Sequence, residues 1–395
     1  MKVNHGMARA AREPLAAVRA ALAGLRAGGY GPAALRERLG ARYPDDIGLL
    51  NRAPALERLR ADRDVLAVAL RLWSLEQEER SSALAGLLPT ALLRECLAAR
   101  WLTRRGARVR ARLRLDPHAD LLLLADLRFR PTDAGALGLP RGDMVYPPGS
   151  DSILLAEAVP ARDGERVLDL CTGSGIQALA VAGRAQSVVA VDIGRRAAAM
   201  ARANAVVNGL DLEVREGDLY RPVRGERFDL ILANPPFVPA HSRGPAYHCG
   251  GPRGDRVLRR VVEGWEAHLR PGGRALAISH LAVRRGETVA DAVRPWAKGF
   301  DGRVLALVLE TGTPVDLAAA QALFALDDGF AAYEREVRDW VAYLQRQRIE
   351  QVVLLLMAAE RGGAPGLEVV EAFQRTLPIP LSHPPDVVLK QQMHW

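Results

Sequence analysis

From Arg166 onward the sequence alternates between short apolar blocks and stretches with helical spacing, and few folds accommodate that alternation. RVLDL (166–170), SVVAVDI (187–193), LEVREGD (212–218), FDLILA (228–233) and RALAISH (274–280) read as strands, most of them nearly continuous apolar runs. Between them, 176–183, 195–207 and 256–269 read as helices. Such repetition predicts an α/β fold with a doubly wound, mainly parallel sheet. RVLALVLE (303–310) and QVVLLLMAAE (351–360), around a broken helical stretch 317–347, supply its last strands, giving seven. In open sheets of this kind ligands lie outside the carboxyl ends of the strands. Residues at those ends are therefore the first candidates for function.

The first such end is VLDLCTGSGIQALA, a strand, a tight turn and the start of a helix. Gly173 and Gly175 permit backbone angles closed to other residues and let a ligand approach the helix N-terminus. GSGIQA also fits a dinucleotide-binding turn, and Asp192, which ends the next strand, sits where a ribose-binding acid belongs. Three features favour S-adenosylmethionine over NAD. Asp169, just before the turn, suits a ligand ammonium and would repel a pyrophosphate. Asp218 ends the third strand, where it can accept from an adenine amino group. The fourth strand ends in Asn234-Pro235-Pro236-Phe237.

The NPPF segment raises its own question, because it breaks regular hydrogen bonding directly after a buried strand. Its prolines fix φ and donate nothing, so the turn is rigid and its carbonyls stay free. The Asn234 amide oxygen and the Pro235 carbonyl are two acceptors that can grip the N–H bonds of a planar nitrogen. Phe237 offers a ring on which a planar group can stack. Such a nitrogen is a poor nucleophile, and positioning it is most of what catalysis requires.

The front of the chain differs in composition. Residues 1–145 hold 25 Lys/Arg against 16 Asp/Glu, and of all 54 basic residues only Lys2, Lys298 and Lys390 are lysine. Residues 8–103 read as helical, with one helix over 54–73 and another from Thr90 to a stop at Gly106. RVRARLRL (108–115) then alternates arginine with apolar residues, which is strand spacing. DPHAD (116–120) reads as a turn and LLLLADLRF (121–129) as a second strand. Helices followed by a basic ribbon suggest a winged-helix-like module, and the seven arginines from Arg100 to Arg114 suggest a nucleic-acid contact. A solvated arginine-rich surface is the plainer alternative. The domain division predicted is 1–130 for this module, 131–145 for a Gly/Pro/Asp-rich linker, and 146–395 for the α/β domain.

From Tyr146 to His280 the chain resembles the class I S-adenosylmethionine-dependent methyltransferases, in the branch bearing an (Asn/Asp)-Pro-Pro-aromatic segment. DLCTGSG is similar to the form in glutamine methyltransferases of ribosomal proteins and release factors. DSILLAEAV and NPPF also resemble segments of rRNA and tRNA base methyltransferases. The resemblance implies that Asp169 holds the methionyl ammonium and that the backbone of Cys171, Thr172, Gly173 and Gly175 cradles the methionine moiety. It implies that Asp192 holds the ribose, and that Ile193, Asp218 and Leu219 frame the adenine. Asn234, Pro235, Pro236 and Phe237 would then face the acceptor, with Asn234 also beside the cofactor. Cys171 departs from the glycine of many relatives and is expected only to pack. The acceptor expected is an RNA base or a protein glutamine, the base slightly ahead because of the basic front half, and the product is S-adenosylhomocysteine.

VPAHSRGPAYHCGGPRGD (238–255) reads as a glycine-rich acceptor loop in which Tyr247 and His248 can touch the substrate. His241, His248 and Cys249 lack a metal-binding spacing, so no metal is expected. His280 reads as packing or a surface turn. Cys96, Cys171 and Cys249 are too scattered for a disulfide framework, and no leader or membrane span is evident, which together suggest the cytoplasm. Three other functions fit parts of the pattern: methylation of a small amino-acid or guanidine acceptor, a nucleic-acid binder with an inactive domain, and a nicotinamide oxidoreductase.

Overall fold

The computed structural model describes residues 22–98, 100–131, 137–138, 144–239 and 250–371. In the front half, the helix expected over 54–73 is two helices. α1 (Leu49–Arg58) carries Pro54 in its interior, and α2 (Val65–Ala69) continues into a π-type turn, Leu70–Ser74. The break falls in a charged stretch, where Asp64 caps α2 by accepting the Ala67 N–H at 2.9 Å. α3 spans Thr90–Ala98. It ends before Gly106, because Arg100 adopts a left-handed φ of 59° and Trp101 N–H returns to the Cys96 carbonyl at 2.9 Å.

Gly106 instead turns a β-hairpin. A three-stranded antiparallel sheet is formed by β1 (Glu79–Arg80), β2 (Leu102–Arg105) and β3 (Arg108–Ala111), with β3 in the middle. The strand expected over 108–115 is split at Arg112. β4 (Leu113–His118) pairs with β5 (Leu121–Asp126) in a separate hairpin, so Asp116–His118 is strand and the turn is confined to Ala119 and Asp120. The split turns Arg114 inward. It is fully buried between Glu76 (Nη1 to Oε1, 2.9 Å) and Asp116 (Nη2 to Oδ1, 2.7 Å), so it cannot belong to a surface wing. Most of the expected linker and all of the tail beyond Glu371 lie outside the described residues.

The second half builds one sheet from β6 (Arg166–Leu170), β7 (Ser187–Asp192), β8 (Glu213–Glu216), β9 (Phe228–Ala233), β10 (Leu269–Arg284), β11 (Gly302–Gly312) and β12 (Ile349–Glu371). Their order is β8-β7-β6-β9-β10-β12-β11. The first five are mutually parallel, and β12 runs antiparallel to β10. Order reverses at β6, which has β7 on one side and β9 on the other. A crevice therefore opens at their carboxyl ends. Leu230, Ile231, Leu232 and Ala233 of β9 have no exposed surface. α4 (Ser150–Ala158), α5 (Ile176–Ala182), α6 (Arg195–Asn208) and α7 (Arg256–Glu263) complete the elements around the crevice. The helix expected over 256–269 ends at Glu263, and a short turn of helix, Trp265–His268, follows.

Two asparagines one turn apart on α6 join the halves. Asn204 and Asn208 each bond both backbone groups of a β5 residue, Leu124 and Leu122 respectively, at 2.7–2.9 Å. Their amides act as a substitute strand along the β5 edge. Asn204 also donates to the Ser174 carbonyl in the glycine turn at 2.8 Å.

Candidate functional site

The turn after β6 is strained in a way only a few residues tolerate. Cys171, Gly173 and Gly175 have φ of 56°, 55° and 89°. A Cβ at Gly175 would stand 3.3 Å from Ala201 of α6, whereas at Gly173 it would meet nothing within 4 Å. Gly175 lets the helix pack, and Gly173 leaves space open above the turn. Burial pushes the Cys171 thiol well above its usual range, so it carries no thiolate at neutral pH.

Asp169 lies beneath this turn with no exposed surface. Its Oδ2 accepts from the Thr172 hydroxyl at 2.5 Å and from the Ala178 N–H at 3.3 Å. Its Oδ1 is buried and has no partner among the described residues. Burial pushes the carboxyl up to about 7, with a small addition from Asp192, against the pull of the two hydrogen bonds. A buried carboxylate with a vacant oxygen suits an approaching cation.

Asp192 ends β7 and ties the neighbouring loops together. It accepts from Gly173 N–H at 2.9 Å and Gly194 N–H at 2.8 Å, and its carbonyl accepts from Gly217 N–H at 2.8 Å. Beside it, Ile193 is 69% exposed, an apolar side chain left open at the crevice. Leu219, with φ 47°, is buried. Asp218 takes a bidentate pair from Arg260 of α7, at 3.1 and 2.8 Å. That partner is 42 residues away in sequence, and no local pattern announces it.

At the end of β9, the Asn234 Nδ2 donates to the Asp151 carboxylate and to the Ser152 hydroxyl, each at 3.0 Å. A carboxylate only accepts, so the amide can face it only with its NH2. Both N–H bonds are used on the start of α4, and Oδ1 is turned away with no partner among the described residues. Pro235 is buried, and Pro236 and Phe237 are half-buried. The Phe237 ring tilts against His280, with centroids 4.5 Å apart. His280 lies within β10 rather than at a strand end or turn, and its Nδ1 is buried without a partner among the described residues. Burial lowers its pKa, and Asp151 opposes the shift. Gly250–Asp255 folds tightly under the segment: Gly250 N–H bonds the Val238 carbonyl at 2.9 Å, and a Cβ on Gly254 would stand 2.0 Å from the Phe237 oxygen.

The crevice thus brings together Asp169, Cys171, Thr172, Gly173, Gly175, Asp192, Ile193, Asp218, Leu219 and the NPPF segment. Asp151, Ser152, Arg260 and His280 join them without having been singled out for these contacts from sequence. Tyr247 and His248 lie outside the described residues, as do His241 and Cys249. Among the described residues no cluster of three or more His, Cys, Asp or Glu side chains could hold a metal ion.

Residues 148–292 match a family described as "Methyltransferase small domain", and residues 26–112 match one described as a domain of unknown function. A "Ribosomal protein uL3 glutamine methyltransferase" of Bradyrhizobium diazoefficiens is 37% identical over 33% of this chain and 44% of its own. A "Release factor glutamine methyltransferase" of Xylella fastidiosa is 44% identical over 41% of this chain and 57% of its own. A protein provisionally named protein N5-glutamine methyltransferase, of Methanocaldococcus jannaschii, is 32% identical over 37% of this chain and 77% of its own. The chain spans about half the length of the first two relatives.

Proposed function

The chain belongs to the class I S-adenosylmethionine-dependent methyltransferases of the Asn-Pro-Pro-aromatic branch, and from that premise we propose that it methylates the side-chain amide nitrogen of a protein glutamine. The observation that carries the reading is the orientation of Asn234. Asp151 and Ser152 hold its NH2, which leaves its oxygen without a donor among the described residues and available to an acceptor's N–H. The relatives' names favour glutamine over an RNA base; both acceptors would present the same planar NH2 to the same pair of oxygens.

The residues present fit the methyl donor. The buried, unpaired Asp169 Oδ1 matches an ammonium. The open space beside Gly173 and the backbone of Cys171–Gly175 match a methionine chain. Asp192, at the carboxyl end of β7, stands where ribose hydroxyls would lie, and exposed Ile193, with Asp218 and Leu219, forms an adenine seat. When bound, S-adenosylmethionine supplies a methyl group made electrophilic by its sulfonium.

The chain's own work is positional. The Asn234 Oδ1 and the Pro235 carbonyl receive the two acceptor N–H bonds and draw nitrogen electron density out of conjugation with its carbonyl. Phe237 stacks on the amide plane, and His280 backs Phe237. No base is needed before transfer, because the nitrogen becomes acidic only as the new bond forms. Preorganised acceptors of this kind help most where charge develops, here on nitrogen.

The domain division at 130 and 145 also belongs to this proposal, with the front half presenting the acceptor. No helix among the described residues is long and apolar enough to cross a membrane. The deciding experiment offers labelled methyl donor with three pools: total RNA, ribosomal and translation-factor proteins, and small-molecule extract. Label recovered as N5-methylglutamine from the protein pool supports the reading. Label confined to RNA or to small molecules overturns the choice of acceptor, and no label in any pool overturns the activity.

A further inference from the structure

The register of the three-stranded sheet places Arg80 of β1, Arg108 of β3 and Arg105 of β2 in one row across neighbouring strands. Residues paired this way share a face, and their Cβ atoms stand roughly 4.5–5.5 Å apart. All three are exposed. None has a carboxylate partner among the described residues. The opposite face carries Leu102, Val109 and Ala111 into the core, so the row cannot turn inward. Exposed Arg112 follows the end of β3, while Arg104 pairs with Val109 on the other face and, among the described residues, donates to the Gly106 carbonyl.

Many arginines of this chain are paired. Arg38, Arg215, Arg259, Arg260 and Arg270 all reach carboxylates, although each is at least partly exposed. Like charges set directly opposite destabilise a sheet. A row of three carries that cost twice, and an anion lying along it would remove the cost. Among the described residues, the exposed large apolar side chains, Val65, Tyr146, Ile193, Val315, Leu323 and Phe330, all lie outside this sheet. Protein partners usually demand an apolar centre depleted of charge. Planar guanidinium forks in a row match successive phosphates instead.

We propose that the face bearing Arg80, Arg105 and Arg108 binds the phosphodiester backbone of a nucleic acid. This stands apart from the methyl-transfer reading, because binding is measured with no methyl donor present. Fluorescence anisotropy on the full chain uses a labelled single-stranded RNA 20-mer, the matching DNA, and polyglutamate as an acidic-protein probe. The expected result is RNA or DNA binding that the Arg80→Ala/Arg105→Ala/Arg108→Ala variant weakens roughly tenfold or more near 0.1 M salt, with the slope of log K against log salt smaller by about 2, as loss of three phosphate contacts requires. Arg259→Ala, at a paired site elsewhere, leaves binding unchanged. Tighter RNA binding identifies RNA as the source of the phosphates, and equal affinity identifies the backbone alone. Parental binding by the folded triple variant overturns the proposal. So does binding of polyglutamate without nucleic acid.

Discussion

Among the described residues, one carboxylate oxygen at the rim of the large sheet, Asp169 Oδ1, is buried without a partner, while on the small sheet three exposed guanidinium groups have no carboxylate partner. Both regions hold charge that the fold does not neutralise, but burial changes what that charge does. A buried acid responds by holding its proton, and Asp169 is accordingly pushed up to about 7. Exposed arginines gather counterions instead. The first region should therefore answer to pH and the second to salt. The same protein also shows what full compensation looks like: Arg114, six residues beyond Arg108, is buried between Glu76 and Asp116.

The largest effect expected concerns that compensated arginine. Asp116→Asn leaves part of a buried charge unmatched and should cost about 3–5 kcal/mol in urea-measured stability. A neutral outcome would mean that pairing in the front half is incidental, and the unpaired row would lose its significance. Next in size is Asn234→Ala at the rim. Removing one preorganised acceptor should lower kcat roughly 100- to 1,000-fold, while the dissociation constant for S-adenosylhomocysteine stays near parental. Turnover at the parental rate would remove Asn234 from the acceptor site.

What was legible in the sequence divides along the same line. RVLDL and FDLILA match β6 and β9 residue for residue, because a strand buried on both faces reads as a nearly continuous apolar run. The glycines of the turn were legible because positive φ selects them. The partners of those residues were not. Asp151 reaches Asn234 from 83 residues away, and Arg260 reaches Asp218 from 42. Arg108 and Arg114 occupy equivalent places in one alternating run, yet one is exposed and one is buried. Alternation specifies a face only while the strand continues, and this one changes sheets at Arg112. The break between α1 and α2 was missed for a related reason: apolar spacing continued across it while a capping acid, Asp64, restarted the helix.

The pH dependence of the rim follows from Asp169. A ligand ammonium requires the ionised carboxylate, so affinity for S-adenosylhomocysteine should rise about tenfold from pH 6 to pH 8 and level off above the carboxyl's own pKa. Calorimetry checks this, and Asp169→Asn should bind weakly with a flat profile. The ligand-free protein should behave in the opposite sense. The folded carboxyl holds its proton more tightly than the unfolded one, whose pKa is about 4, so stability falls as pH rises from there toward 7. A flat parental binding profile would place the ammonium elsewhere.

The smallest effect expected is the most discriminating for the arginine row. Arg108→Gln removes the middle charge and with it both like-charge contacts, to Arg80 and to Arg105. Stability at low salt should rise by about 0.5 kcal/mol, within the range of cross-strand pairs. The gain should vanish near 1 M salt, where the Debye length falls to about 3 Å. Nucleic-acid affinity should fall in the same variant. Opposite signs for stability and binding are what a surface kept for a ligand produces, since the residue is suboptimal for the fold alone. A merely solvated arginine would give no change in either, and a structural one would lower both.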